Sequence, residues 1–498
     1  MKNFKLNNQN ISQFSEIVSI PKYDRSKVKT GIVHVGVGGF HRAHQALYTD
    51  QLLHDNSVTD WGICGVALLD FDQKIYNTLK DQDGLYTLIL KELDGSLTRR
   101  VIGSIVEYLY APENPMVVIE KMAHPDVKII SLTITEGGYN YNESTGEFEF
   151  KNPNIIHDLD NPKAPKTIFG FLTQALKLRK ETDRSGVTIQ SCDNIQGNGH
   201  ITKKMVLSYI EVAAPEILTW VKNNVSFPNS MVDRITPVTS PLDISKLKED
   251  TGIEDEWPVV CEPFKQWVIE DNFIAGRPQW ENVEAQFVKN VEPYEKMKLS
   301  LLNAGHSILG ILGALMGYTT IDESVSNASI SNFLRIYMGN EVTPTLDNLN
   351  GINLKNYKHS LVQRFGNEYI KDQIDRICSQ SSAKIPIFII PTIKSQLKYK
   401  GSIKHAAFLI AAWAKYSLGK NQYGKELNII DVMKESLNEK AILAKEKPEE
   451  FLELETIFSN LKNDPIFVST YTNAYKNISA YGIQKSIIDI NSTILNEI

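Results

Sequence analysis

A chain of 498 residues can bury a large core and exceeds the usual size of a single domain, so two domains are expected. With 42% hydrophobic and 22% charged residues it has the mix of a globular protein, and a formal charge of −6 leaves no basic excess for nucleic acid or an anionic membrane surface. The opening residues carry no apolar signal core, the longest apolar stretches (308–318 and 406–414) fall short of a bilayer span, and Cys64, Cys192, Cys261 and Cys378 lack CxxC spacing, which points to a soluble cytoplasmic protein with reduced thiols.

The first clear element is an apolar strand from residue 30 that runs into GVGGFHRAH (residues 36–44) and then a helix through Leu53. A buried strand, a glycine turn and a helix in that order open a Rossmann-type domain: Gly36 permits the tight turn, and Gly38 lets the backbone approach a pyrophosphate. Gly39 and Phe40 complete the candidate cofactor loop, and His41 stands where the third glycine of GxGxxG would be. His41 and His44 have the spacing of a metal pair, but no further ligand lies at suitable spacing and Arg42 between them repels a cation, so no metal is expected.

A second strand, 61–68, is followed by Asp70 and Asp72, either of which suits the adenosine ribose or caps the helix that follows. An acid on the 2′-hydroxyl repels a 2′-phosphate, so NAD is favoured over NADP. A third strand, 127–135, ends at Thr135 and opens into Glu136-Gly137-Gly138, an edge that lines the cofactor cleft of a doubly wound sheet. A helix is expected over 167–182, then a strand from 187 with Asn194 at its C-terminal tip, placed either to donate to a substrate oxygen or to form an Asx turn. Short strand-and-turn segments at 227–237 and 257–267 close the domain, which spans 1–290.

From 291 to 498 the pattern changes to amphipathic helices, expected at 298–318, 330–338, 357–364, 370–379, 405–415, 449–460 and 464–477. The first carries KLSLLNAGH (298–306). At about 100° per residue, with Lys298 at 0°, Glu295 lies near ~60°, His306 near ~80° and Asn303 near ~140°, so four polar groups share one arc with apolar neighbours. Any one alone is more often a satisfied core group. Together, and downstream of a dinucleotide fingerprint, they describe a ligand site with a desolvated lysine suited to general base work, in the cleft of the two domains.

Five motifs occur in order: GVGGFHRAH (36–44), SLTITEGGY (131–139), SCDN (191–194), FPNSMVDRITP (227–237) and Lys298-x4-Asn303-x2-His306. With them the chain resembles the polyol-specific long-chain dehydrogenases of the mannitol dehydrogenase family over nearly its whole length. The resemblance implies an α/β Rossmann-type domain followed by a mainly helical substrate domain, and a metal-independent NAD(H) oxidoreductase that interconverts D-mannitol and D-fructose. It further implies Lys298 as catalytic base, Asn194 and Asn303 as oxyanion donors, Glu295 in proton movement beside the lysine, and Asp233, His306, Arg376 and Lys384 on the polyol. The implied partners are a small polyol or ketose, with the protein a monomer or small homo-oligomer.

Two departures stand out: SQSSAK (379–384) lacks the acid that relatives often carry before the lysine, and Phe71 occupies the often acidic position before Asp72. A hexuronate (fructuronate) reductase is the rival enzyme, since Arg376 and Lys384 suit a carboxylate, and a non-catalytic NAD sensor is the rival of another class.

Overall fold

The computed structural model describes residues 2–55, 58–142 and 145–495. The chain divides into two compact units, Met1–Glu292 and Pro293–Ile498.

The first unit is built on six strands: β1 (Thr30–Val35), β2 (Gly62–Ala67), β3 (Ile105–Tyr110), β4 (Ile129–Leu132), β5 (Val187–Ser191) and β6 (Val225–Ser226). They are all parallel, in the order β3-β2-β1-β4-β5-β6, the doubly wound arrangement of dinucleotide-binding sheets. Every residue of β1, β2 and β5 is buried, as expected of strands covered on both faces. Alternation divides them: Val33, Val35, Cys64 and Ile130 join one apolar cluster, and Ile32, Ile63, Ile105 and Ile129 the other.

Three sequence expectations change here. The helix after the glycine loop is two helices, α1 (Gly39–Ala43) and α2 (Gln45–Leu53), broken at His44 (φ −124°, ψ −95°). The strand expected over 127–135 stops at Leu132, because Thr135 takes a left-handed φ of 60° and starts a short helical turn, Thr135–Gly138. An antiparallel hairpin outside the expected elements, Tyr86–Lys91 with Leu97–Ile102, is turned at Asp94-Gly95 and extended in parallel by Val259–Cys261. Residues 227–237 supply Ser230–Asp233, which pairs with Gln266–Glu270.

The described residues of the second unit form helices joined by loops, with isolated bridges between Thr320 and Gln373 and between Lys420 and Glu426. The expected helix 298–318 is three pieces: α3 (Glu292–Lys298), a π-helical turn over Leu299–Asn303, and α4 (Ala304–Met316), ended by left-handed Gly317. This run is long and apolar enough to cross a membrane by length and composition, but 94% of its most apolar window is buried in the protein. Glycines on α4 let neighbours approach. A Cβ at Gly310 would lie 2.8 Å from Cys378 Sγ, and one at Gly313 1.9 Å from Ser324 Oγ and 3.0 Å from Ile374. The short helix α5 (Ile374–Cys378), narrower than the expected 370–379, thereby packs directly on α4. Helices Ser381–Phe388 (despite Pro386), Ile390–Tyr399 and Lys434–Leu443 were not anticipated. The last helix runs Pro465–Leu495, well past 477, with a break at Gly482 (φ 78°).

Candidate functional site

In the first unit, the C-terminal ends of β1, β2 and β4 open on a cavity of about 760 Å³. Gly36, Gly38, Gly39, Asp72 and Thr135 line it; Phe40 and Asp70 are not among its lining residues. Gly36 has φ 91°, and a Cβ there would lie 2.0 Å from the Thr133 carbonyl oxygen, so only glycine fits. A Cβ at Gly38 would meet nothing of the protein closer than 3.9 Å; the space beside it belongs to the cavity. Asp72 accepts the Leu69 N–H through Oδ2 (3.0 Å), so it caps its own turn while it lines the cavity. Phe71 (80% exposed), the residue that departs from the often acidic position before Asp72, lines the same wall, as does Lys74, over the Trp257 ring at 5.2 Å, which was not singled out by sequence.

His41, at the third-glycine position, is buried and stacked on His34 (3.4 Å, 12°). His34 meets Ser131 Oγ at 2.8 Å, and Ser131 in turn donates to Gln45 Oε1. His44 Nε2 pairs with the Gln266 carbonyl at 2.9 Å. Burial pushes His34 and His44 down to about 3 and His41 well below its ordinary value, so all three are neutral packing groups near neutral pH.

Asp193, which sequence reading passed over, fixes the β4–β5 end of this site. Its Oδ2 accepts from Ile134 N–H (2.9 Å) and Tyr139 O–H (2.6 Å), and its Oδ1 from Thr135 N–H (3.0 Å). These bonds hold Thr135 in its left-handed conformation. Burial raises the Asp193 carboxyl to about 6 in spite of those donors. Next to it, exposed Asn194 sits at the tip of β5, and buried Asn198 donates to the Asp193 and Ser230 carbonyls (3.0 and 2.8 Å). The strand that ends in buried Asp233 is thereby tied to the tip that carries Asn194.

In the second unit, Glu295, Lys298 and Asn303 are 6–7% exposed. The π turn alters their directions. One extra residue in a turn sets every later side chain back by about one residue's rotation, so His306 comes to within ~20° of Lys298 instead of ~80° away. The polar arc is narrower than a regular helix allows. His306 packs on Phe365 (ring centroids 4.7 Å apart), whose approach depends on Gly305: a Cβ there would lie 3.0 Å from the phenyl ring. His306 Nε2 lies 3.8 Å from Asp372 Oδ2, and Arg376 donates to Asp372 Oδ1 through Nε (3.0 Å) and Nη2 (2.5 Å). Asp372 thus joins two of the expected site residues, and its i, i+4 spacing from Arg376 was a signal in the sequence. Lys384 Nζ donates to the Ile377 carbonyl at 3.0 Å, on the same helix α5.

Residues 30–282 match the model of the mannitol dehydrogenase Rossmann domain, and residues 290–479 that of the mannitol dehydrogenase C-terminal domain. The chain belongs to the mannitol dehydrogenase family. Within it, the chain is similar to the mannitol 2-dehydrogenase of Aspergillus fumigatus, at 46% identity over 98% of this chain and 99% of that one. Among solved structures it is similar to Pseudomonas fluorescens mannitol 2-dehydrogenase in ternary complex with NAD and D-mannitol (TM-score 0.88, 42% identity, covering 98% of this chain and 99% of that chain). It is also similar to a D-sorbitol dehydrogenase in substrate-free form (TM-score 0.90, 35% identity, covering 98% and 100%).

Proposed function

We propose that the protein is an NAD-dependent mannitol 2-dehydrogenase that interconverts D-mannitol and D-fructose, with Lys298 as general base and without a metal. The observation that carries this reading is the near-full-length similarity to a mannitol 2-dehydrogenase solved with NAD and D-mannitol, in a chain that keeps Lys298, Asn303 and His306 on one buried helical run. The first unit's residues suit the cofactor: Gly36 permits the tight turn, Gly38 leaves room for a pyrophosphate, and Asp72 on the cavity wall favours an unphosphorylated ribose.

NAD, when bound, supplies the acceptor for the hydride that leaves C2. Lys298 in its neutral form takes the C2 hydroxyl proton, and its ammonium form returns that proton in the reverse direction. The amides of Asn194 and Asn303 donate to the oxygen as negative charge develops on it, which lets neutral donors serve where other dehydrogenases use a Lewis acid. Glu295 relays the proton from the lysine. Asp233, His306, Arg376 and Lys384 hold the remaining hydroxyls and fix which carbon reacts.

The similarity to a D-sorbitol dehydrogenase favours D-sorbitol as a second substrate. The test is a panel of mannitol, sorbitol, arabinitol, fructose and fructuronate with NAD(H) and NADP(H). The highest kcat/KM is expected for mannitol and fructose with NAD(H); a higher value for fructuronate or for NADP(H) rejects the assignment.

A further inference from the structure

Arg376 is a long cation at the expected distal end of the substrate, and a free guanidinium there would be a carboxylate receptor. It is not free. Two of its donors, Nε and Nη2, converge on Oδ1 of Asp372, a carboxylate 5% exposed, while the arginine side chain itself remains 51% exposed. The other oxygen of Asp372 has no hydrogen bond and lies 3.8 Å from His306 Nε2. The acid therefore sits between two of the residues that the reading above assigns to the sugar, and α5 is pressed against α4 by the gaps at Gly310 and Gly313.

We infer that Asp372 determines specificity for neutral sugars by neutralising Arg376 in advance, so that this subsite binds hydroxyls and rejects the carboxylate of a hexuronate or hexonate. The inference rests on the polyol reading of the site and names the device that would enforce it. A guanidinium engaged through one edge keeps its remaining N–H groups for hydroxyl oxygens, which are neutral acceptors. A ligand carboxylate at the same place would meet the negative charge of a buried acid that already holds the cation. Asp372 also orients: it holds Arg376 by two bonds and presents an acceptor to the imidazole that Phe365 packs from the side.

The test compares the wild type with Asp372→Asn, which keeps shape and removes charge. The readouts are kcat/KM for fructose and for fructuronate with NADH, and NADH affinity by fluorescence as a check that the first unit is folded. The wild type is expected to favour fructose at least a hundredfold. Asp372→Asn should reduce that preference at least tenfold, through a lower KM for the uronate, and adding Arg376→Met should erase the gain. A preference unmoved by Asp372→Asn, in a wild type that favours fructose, overturns this inference alone. A wild type that already favours the uronate overturns it together with the polyol reading. A measurement on the wild type needs no variant: D-mannonate, which is mannitol with one end oxidised to a carboxylate, should inhibit mannitol oxidation with a Ki at least tenfold above the KM for mannitol. A Ki below that KM rejects the inference.

Discussion

Lys298 is 6% exposed at the last residue of α3, where the helix widens into its π turn. Proton transfer and cofactor binding are separable functions in such an arrangement. Lys298→Ala is expected to lower kcat by about 10²–10⁴ while the NADH dissociation constant, read by fluorescence titration, stays within about threefold. Near wild-type turnover in the variant rejects the base assignment. Asp193 gives a second test at the same scale. Burial raises its carboxyl to about 6, so the folded protein binds a proton there more readily than the unfolded chain, whose carboxyl stays near 3.8. Its contribution to stability is therefore fully present below about 3.8 and is lost as pH rises through about 6. Asp193→Asn does not titrate. The melting temperature of the wild type relative to Asp193→Asn should rise between pH 7.5 and 4.5, by the equivalent of about 2 kcal/mol. A difference that is flat or falls across that range contradicts the buried, proton-binding state of Asp193.

The glycine loop that joins β1 to α1 separates two demands on glycine that look alike in the sequence. At Gly36 the demand is internal: φ is 91° and a Cβ would strike the Thr133 carbonyl. At Gly38 the demand comes from the cavity alone. Gly36→Ala is expected to destabilise the protein by about 2–4 kcal/mol, since strain and overlap act together. Gly38→Ala should melt within about 2 °C of the wild type yet bind NADH at least tenfold more weakly, by calorimetry or fluorescence. If Gly38→Ala binds NADH like the wild type, the pyrophosphate does not pass this loop. The loop and the apolar runs of β1, β2 and β5 were legible because each rests on local chemistry: a glycine turn after a continuous apolar strand. The π turn over Leu299–Asn303 was not legible, since LSLLN reads equally well as an α-helix and the extra residue is set by packing of Gly305 against Phe365 and of Gly310 and Gly313 against α5 and its neighbours. The end of β4 was misjudged for a related reason. The left-handed Thr135 exists because Asp193, 58 positions later in the chain, receives its N–H.

At the scale of the whole chain, the cysteines and several of the histidines serve packing. The cysteines Cys64, Cys192, Cys261 and Cys378 are all buried and unpaired, and burial raises the thiol of each. His34 and His41 stack on each other, His44 meets a backbone carbonyl, and His405 lies against Glu341, which itself accepts the first N–H groups of helix Lys404–Tyr416. Among the described residues no three histidine, cysteine or carboxylate groups stand together as a metal site would require. In the sequence, His41 and His44 have the spacing of a metal pair without a third member, and metal ligands need convergence. Spacing does not reveal how His34, His41 and His44 are used: they pack beneath the glycine loop, with the imidazoles neutral. The expected outcome is that dialysis of the whole protein against a strong chelator leaves kcat for mannitol oxidation unchanged and the melting temperature within about 1 °C, because the proposed lysine chemistry calls for no ion. Loss of activity that zinc restores would replace Lys298 and the asparagine amides with a Lewis acid and overturn the mechanism.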